Sequence, residues 1–284
     1  MRRCIVIGAS GFLGRHLLDL GDGWQTVGTA LSHPSPGLIQ LDLTRFDDLK
    51  RCLDGLQPDL VIYVAGLTSV DECEADPDLA ELLNAIVPAE IAERPGCRLL
   101  YVSTDYVFDG RQGHYAEDSS ASPINAYGAS KARGEKHVLS VNESHLVLRV
   151  SGLFDSEGTR EGLFPRRHER PDDYVDTNRI SSPVHVEDVR RAVHLVVAGG
   201  VGGIWHAGGP DALSRYQFRQ IIALHDLAIA SARPKTYIAH EVHPRRPLNT
   251  SLASPRLQGL GWRAGRVLEW FPPHAIGRSL RRGV

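Results

Sequence analysis

The chain has 284 residues, 42% of them hydrophobic, and a net charge of −2 at pH 7. That length admits one large α/β domain, or a main domain with a smaller second unit, and the near-neutral balance offers no basic face for nucleic acid. No apolar run reaches the roughly 18 residues of a spanning helix, and the apolar start breaks at Gly8 before a leader core is complete, so a cytoplasmic protein without a membrane partner is expected.

In chain order, Cys4–Gly8 reads as a buried strand. Gly11–Gly21 reads as a helix with Phe12, Leu13, Leu17, Leu18 and Leu20 near one face. Trp24–Leu31 and Gly37–Leu43 are strands. Arg45–Leu56 is helical, with Phe46, Leu49, Leu53 and Leu56 in helical spacing. Leu60–Gly66 is a strand. Pro77–Arg94 is a helix that Pro88 must kink or split. Arg98–Asp105 and His145–Gly152 are strands either side of a helix over Ala126–Val141. The pattern loosens after Phe154, returns to helical period over Val184–Ala198, and continues as a strand at Ile204–Gly209 and a helix at Tyr216–Leu227.

Such alternation predicts the α/β class, a Rossmann-type doubly wound parallel sheet with a small discontinuous C-terminal substrate lobe. Residues 1–152, with about 184–207, are assigned to the dinucleotide-binding domain, and 153–183 with 208–284 to the lobe. The four cysteines, Cys4, Cys52, Cys73 and Cys97, show no C-x-x-C spacing and read as reduced thiols. His240 and His243 form a tight pair without a third ligand nearby, so no metal site is expected.

Between the first strand and its helix stand Gly8, Gly11 and Gly14, spaced G-x-x-G-x-x-G. A turn without Cβ atoms lets a pyrophosphate approach the backbone. NAD sites usually place an acid at the end of the second strand. Here that end reads Ala30, Leu31, Ser32, His33, which leaves room for a 2′-phosphate. NADPH is therefore the preferred cofactor, with NADH possible. Asp42, after the third strand, either reaches the adenine or serves as a turn residue.

Tyr127 and Lys131 are one helical turn apart and share a face. A phenol, with a reference pKa of about 10, is a poor acid–base group until a nearby cation favours the phenolate. So tuned, it can protonate the alkoxide formed when a ketone is reduced. Ser103, Thr104 and Asp105 end the preceding strand, where hydroxyls can bond a substrate carbonyl. The alternative is a surface helix with both side chains in water.

These residues sit in a longer block, "STDYVFDG" followed by P-x-N-x-Y-G-x-S-K-x-x-G-E from Pro123 to Glu135, with "GASGFLG" before it and "RRPLNTSL" after it. In these motifs the chain resembles the extended short-chain dehydrogenases/reductases, and within them the dTDP-4-dehydrorhamnose reductase family, over most of its length. The resemblance implies reduction of a nucleotide-sugar 4-ketone, with Thr104, Tyr127 and Lys131 as the catalytic set. It implies cofactor contacts from Gly8, Ser10, Gly11, Phe12, Leu13, Gly14, Ser32, Asp42, Leu43, Ala65, Gly66, Ser103, Tyr127, Lys131 and Ser151. On the substrate side it implies Thr68, Asp105, Tyr106, Phe108, Gly152, Arg246 and Asn249. A homodimer is possible.

The family typically reads S-W-V-Y after the sixth strand; this chain reads Ser151-Gly152-Leu153-Phe154, which leaves a larger or differently shaped sugar pocket. Arg166, Arg167 and Arg170 either meet a diphosphate or lie in a solvated loop. Two other readings stay open. Epimerases and dehydratases use the same cleft but return the hydride. A relative of the family is a regulatory subunit of methionine adenosyltransferase that binds NADP.

Overall fold

The strands of the first half are apolar on both faces because both faces are covered. The computed structural model describes residues 1–31, 36–156, 174–223, 233–238 and 242–271. Ser32, His33, Arg166, Arg167, Arg170 and His240 lie outside the described residues.

Seven parallel strands form the main sheet: β1 (Arg2–Ile7), β2 (Trp24–Ala30), β3 (Leu38–Gln40), β4 (Leu60–Tyr63), β5 (Arg98–Thr104), β6 (Leu146–Val150) and, later in the chain, β11 (Gly203–Ala207). Their order is β11-β6-β5-β4-β1-β2-β3. Successive side chains of a strand alternate between faces. Val6, Ile62, Val102 and Leu148 therefore pack on one side with Leu17 and with Val189, Val193 and Val196 of α6 (Val186–Ala198). Ile5, Val61, Tyr101 and Val147 pack on the other. Their partners are Leu49 and Leu53 of α1 (Phe46–Leu56), Ile91 of α4 (Val87–Ala92) and Val138 of α5 (Ala126–Val141). The expected doubly wound parallel sheet is the one found.

One local expectation needs correction. The segment after the glycine turn is not an α-helix but a 3-10 turn over Gly14–Leu17. Five glycines, Gly8, Gly11, Gly14, Gly21 and Gly23, stand between β1 and β2, and a glycine inside a helix costs about 1 kcal/mol. Asp19 then ends it, its Oδ1 accepting from the Gly21 N–H at 2.8 Å. The helix carrying Pro88 is split, one of the two outcomes expected. It runs as α3 (Pro77–Glu81), a π turn over Leu82–Ile86, and α4. Ahead of it lies α2 (Val70–Ala75), a short helix that apolar spacing does not signal and that Ser69 caps.

After β6 the chain makes short pairings: β7 (Leu153–Phe154) with β10 (Val184–His185), β8 (Tyr174–Asp176) with β13 (Arg233–Lys235), and β9 (Ile180–Ser181) with β12 (Leu213–Ser214). The described part of the Tyr216–Leu227 expectation is helix α7 (Arg215–Ala223). Bridges from Tyr115 to Leu252 and from Ile180 to Asn249 tie the C-terminal stretch back toward β5. No helix among the described residues is long and apolar enough to cross a membrane.

Candidate active site

A cavity of about 1190 Å³ opens at the C-terminal ends of β1, β2, β4, β5 and β6. β1 lies between β2 and β4, the switch point where open α/β sheets bind ligands. Gly8 leaves β1 with φ +93°, and a Cβ there would stand 2.8 Å from the Ala65 nitrogen. At Gly14 a Cβ would stand 2.2 Å from the Gly8 carbonyl oxygen. The turn is thus folded onto itself, and its exposed side, from Gly8 to Leu13, walls the cavity.

The wall continues along Thr29, Ala30 and Leu31 of β2 and Asp42, Leu43 and Thr44 after β3. Asp42 turns the chain, its Oδ1 accepting from the Thr44 N–H (3.0 Å) and hydroxyl (2.7 Å). Those two hydrogen bonds hold its carboxyl below the usual range.

Helix α5 supplies the opposite wall. Asn125 caps it, its Oδ1 accepting from Gly128 N–H at 2.9 Å, and Glu74 accepts from Ala126 N–H at 2.8 Å. Gly134 lets the helix close onto the π turn, since a Cβ there would lie 2.2 Å from the Asn84 carbonyl oxygen. Tyr127 and Lys131 then face the cavity together. Lys131 is 3% exposed. Its Nζ donates to the Val102 carbonyl at 2.8 Å and lies 4.3 Å from the Tyr101 ring centroid. Burial pulls its pKa down to about 7, while Glu135 one turn on works the other way. Glu135 is itself buried and paired with Arg149, which approaches it through Nε (3.0 Å) and the second guanidinium nitrogen (2.6 Å). Burial pushes the Tyr127 phenol up, and the hydroxyl of Thr104 counters it.

At the end of β5, Ser103, Thr104 and Asp105 all line the cavity. Ser103 Oγ is buried without a hydrogen-bond partner among the described residues. Asp105 is 4% exposed and takes three hydroxyls. Thr104 donates to Oδ1 (3.2 Å), and Ser151 (2.8 Å) and Thr250 (2.5 Å) donate to Oδ2. Thr104 in turn accepts the Tyr106 N–H at 3.2 Å.

A glycine cradle, an unpartnered hydroxyl and a buried ammonium with protons to spare fit a dinucleotide. The family model for the RmlD substrate binding domain matches residues 1–266. The chain belongs to this family. Among its relatives, methionine adenosyltransferase 2 subunit beta of Xenopus laevis is 31% identical, covering 100% of this chain and 91% of that one. A probable dTDP-4,6-dihydroxy-2-methyloxan-3-one 4-ketoreductase of Streptomyces antibioticus is 33% identical over 95% of each. The crystal structure of dTDP-4-dehydrorhamnose reductase from Bacillus anthracis in complex with NADP superposes with a TM-score of 0.80 at 25% identity, covering 95% of this chain and 97% of that one.

Most residues singled out by resemblance to the RmlD family meet at the cavity: Gly8, Ser10, Gly11, Phe12, Leu13, Asp42, Leu43, Ala65, Gly66, Thr68, Ser103, Thr104, Asp105, Tyr127, Lys131 and Gly152. Others stand elsewhere. Gly14 packs behind the turn. Ser151 is 1% exposed and bonds Asp105 instead of facing the cavity. Phe108, expected against substrate, is 0% exposed. It is stacked on Tyr115 at 4.2 Å, because Val107, Tyr115 and Leu252 form a small core of their own with it. Asn249 accepts from the Ser251 N–H and hydroxyl, and Arg246 pairs with Asp71 at 2.6 Å; neither lines the cavity. Tyr106 stands edge-on to Tyr127, ring centroids 5.8 Å apart. The cavity also recruits Thr29, Val64, Val102, Val150 and Leu153, and Leu83 from the π turn. A rule taking every strand's last residues would have found most of the first five; Leu83 carries no such signal.

Proposed function

We propose that this chain is an NADPH-dependent reductase of a nucleotide-activated 4-keto-6-deoxy sugar. The observation that carries the reading is the meeting of Thr104, Tyr127 and Lys131 on the wall of one cavity beside the glycine turn. The backbone from Gly8 to Leu13 would hold the pyrophosphate, and the Lys131 protons not given to Val102 would hold the nicotinamide ribose. The end of β2 carries no acid, which favours the 2′-phosphate form. Bound NADPH supplies a hydride to the carbonyl carbon.

The rest of the work falls to the chain. Tyr127 would protonate the developing alkoxide. Lys131, cationic below about pH 7 before any ligand enters, favours the phenolate left behind. The absence of a bulky side chain at Gly152, on the cavity wall, leaves space for the sugar. The NADP complex of the Bacillus anthracis reductase and the Streptomyces relative's name support cofactor and reaction class alike.

The test is NADPH oxidation followed by absorbance with a panel of dTDP- and other nucleotide 4-keto-6-deoxy sugars, NADH run in parallel. Turnover with one sugar and a higher kcat/KM for NADPH is the expected result. Equal or better use of NADH would overturn the cofactor preference, and no oxidation with any sugar would overturn the reaction.

A second reading is favoured by the full-length similarity to methionine adenosyltransferase 2 subunit beta. There the same cavity would bind NADP as part of a complex. Tight NADPH binding without turnover, together with co-purification of a methionine adenosyltransferase, would select it.

A further inference from the structure

The crossover from β4 to β5 does not run as one α-helix from Pro77 to Ala92. It opens into the π turn over Leu82–Ile86. In an α-helix the Pro88 ring would strike the carbonyl four residues back, that of Asn84, and would leave it without an N–H. A wider turn moves that carbonyl aside. Val87 N–H then bonds the Leu82 carbonyl, five residues back. The Tyr63 and Tyr101 hydroxyls take up the carbonyls of Leu83 and Asn84. They answer the turn; Pro88 imposes it.

The wider turn has a consequence at the cavity. Each residue advances an α-helix by about 100°, so one residue absorbed in a π turn changes which side chains face the cleft. Leu82 packs against the core that holds Val87 and Ile91. Leu83, half-buried, lines the cavity, and no other residue from Pro77 to Ala92 does. Asn84 follows, 0% exposed, and holds the turn from both sides. Its Nδ2 donates to the Leu67 carbonyl at 2.9 Å, an atom that can only accept, and to Ser130 Oγ at 3.1 Å. Its Oδ1 is thereby set against Gly66, where a Cβ would collide with it. Its carbonyl lies where Gly134 of α5 closes on it. Leu83 is thus fixed between the end of β4 and α5, whose Ala65, Gly66, Tyr127 and Lys131 line the same cavity.

We propose that Leu83 packs against the bound dinucleotide, and that Pro88 is a positioning residue that fixes this contact through the π turn. The inference rests on dinucleotide binding by the cavity and not on the reduction of a sugar. A leucine side chain has no polar atom to give a phosphate. What it gives is apolar area withdrawn from water against the C–H surface of a base or ribose. Its removal lowers affinity for the ligand without touching the phenol of Tyr127.

The test uses the full chain with Leu83→Ala, Leu83→Met, Pro88→Ala and the double variant of Leu83→Ala with Pro88→Ala. NADPH binding is followed by nicotinamide fluorescence, without any sugar. Leu83→Ala is expected to raise the NADPH Kd about ten-fold, and Leu83→Met to return it to within about three-fold of wild type. Pro88→Ala restores the missing N–H and lets the crossover close as an α-helix, which withdraws Leu83 from the wall. Its Kd should rise by about the same factor, with no loss of helix by circular dichroism. The double variant should bind no more weakly than Pro88→Ala alone, because the contact can be lost only once. A Kd within about two-fold of wild type in Leu83→Ala would overturn the contact. An unchanged Kd in Pro88→Ala, or losses that multiply in the double variant, would overturn the positioning role. A wild-type protein that binds neither NADPH nor NADH would overturn both, together with the dinucleotide reading. Sugar turnover has no part in these measurements, so failure of the reductase reading leaves each outcome as it stands.

Discussion

Tyr63 and Tyr101, on neighbouring strands with ring centroids 6.0 Å apart, donate their hydroxyls to consecutive carbonyls, Leu83 and Asn84, each at 2.6 Å. The reason is Pro88. It has no N–H to give to Asn84, four residues back, or to Leu83, the partner in π geometry. The helix yields at that point, Val87 N–H reaching back to Leu82, and the sheet satisfies the two carbonyls left over. A π turn so placed puts Leu83 on the cavity wall and Asn84 against Gly66.

Tyr63→Phe removes one of those donors and leaves a buried carbonyl unpaired. The loss is expected to cost about 1–3 kcal/mol, read as a lower denaturation midpoint with an unchanged slope. NADPH binding should survive, because Tyr63 itself stays off the cavity wall.

Tyr127→Phe keeps the ring and its contact with Tyr106 but removes the proton. Turnover should fall by about 10²–10⁴-fold, with the NADPH Kd, measured by fluorescence, nearly unchanged. Full activity in this variant would sink the assignment of Tyr127 as proton donor.

Lys131 places catalysis against stability. Its folded pKa, about 7, lies below the unfolded value of about 10.4. Between those values the unfolded chain holds the proton and the folded chain does not, so stability rises with pH through that window. Below it the full penalty is present. Lys131→Met should therefore be inactive yet more stable than wild type at pH 6, by about 4–5 kcal/mol in the ligand-free protein. Urea unfolding at pH 6 and 9 checks it; a gain that does not shrink at pH 9 would contradict the stated cause.

Glu135→Gln leaves the Arg149 guanidinium buried, 3% exposed, without its carboxylate. Breaking such a pair is expected to cost about 3–5 kcal/mol, visible as a large drop in Tm. In whatever fraction stays folded, Lys131 loses the one nearby carboxylate that raises its pKa. The alkaline limb of activity should then move to lower pH.

Much of this was legible locally. The start of α5 follows from Asn125 as cap, and the helix runs over Ala126–Val141 as expected. The parallel sheet follows from apolar strands alternating with helices, and the cavity's place from glycine at the end of β1 and hydroxyls at the end of β5. These features depend on neighbours a few residues apart, which a sequence displays directly. The burial of Phe108 and the four-group cluster of Thr104, Asp105, Ser151 and Thr250 do not depend on such neighbours. Phe108 is apolar wherever it sits, and only contact with Tyr115 and Leu252 decides that it belongs to a core. Asp105 is one acid among many until the ends of β5 and β6 and a stretch 145 residues on converge on its two oxygens. Hydrogen-bond partners brought together by strand order leave no period in the chain. The tertiary structure alone decides which hydroxyls meet which carboxylate.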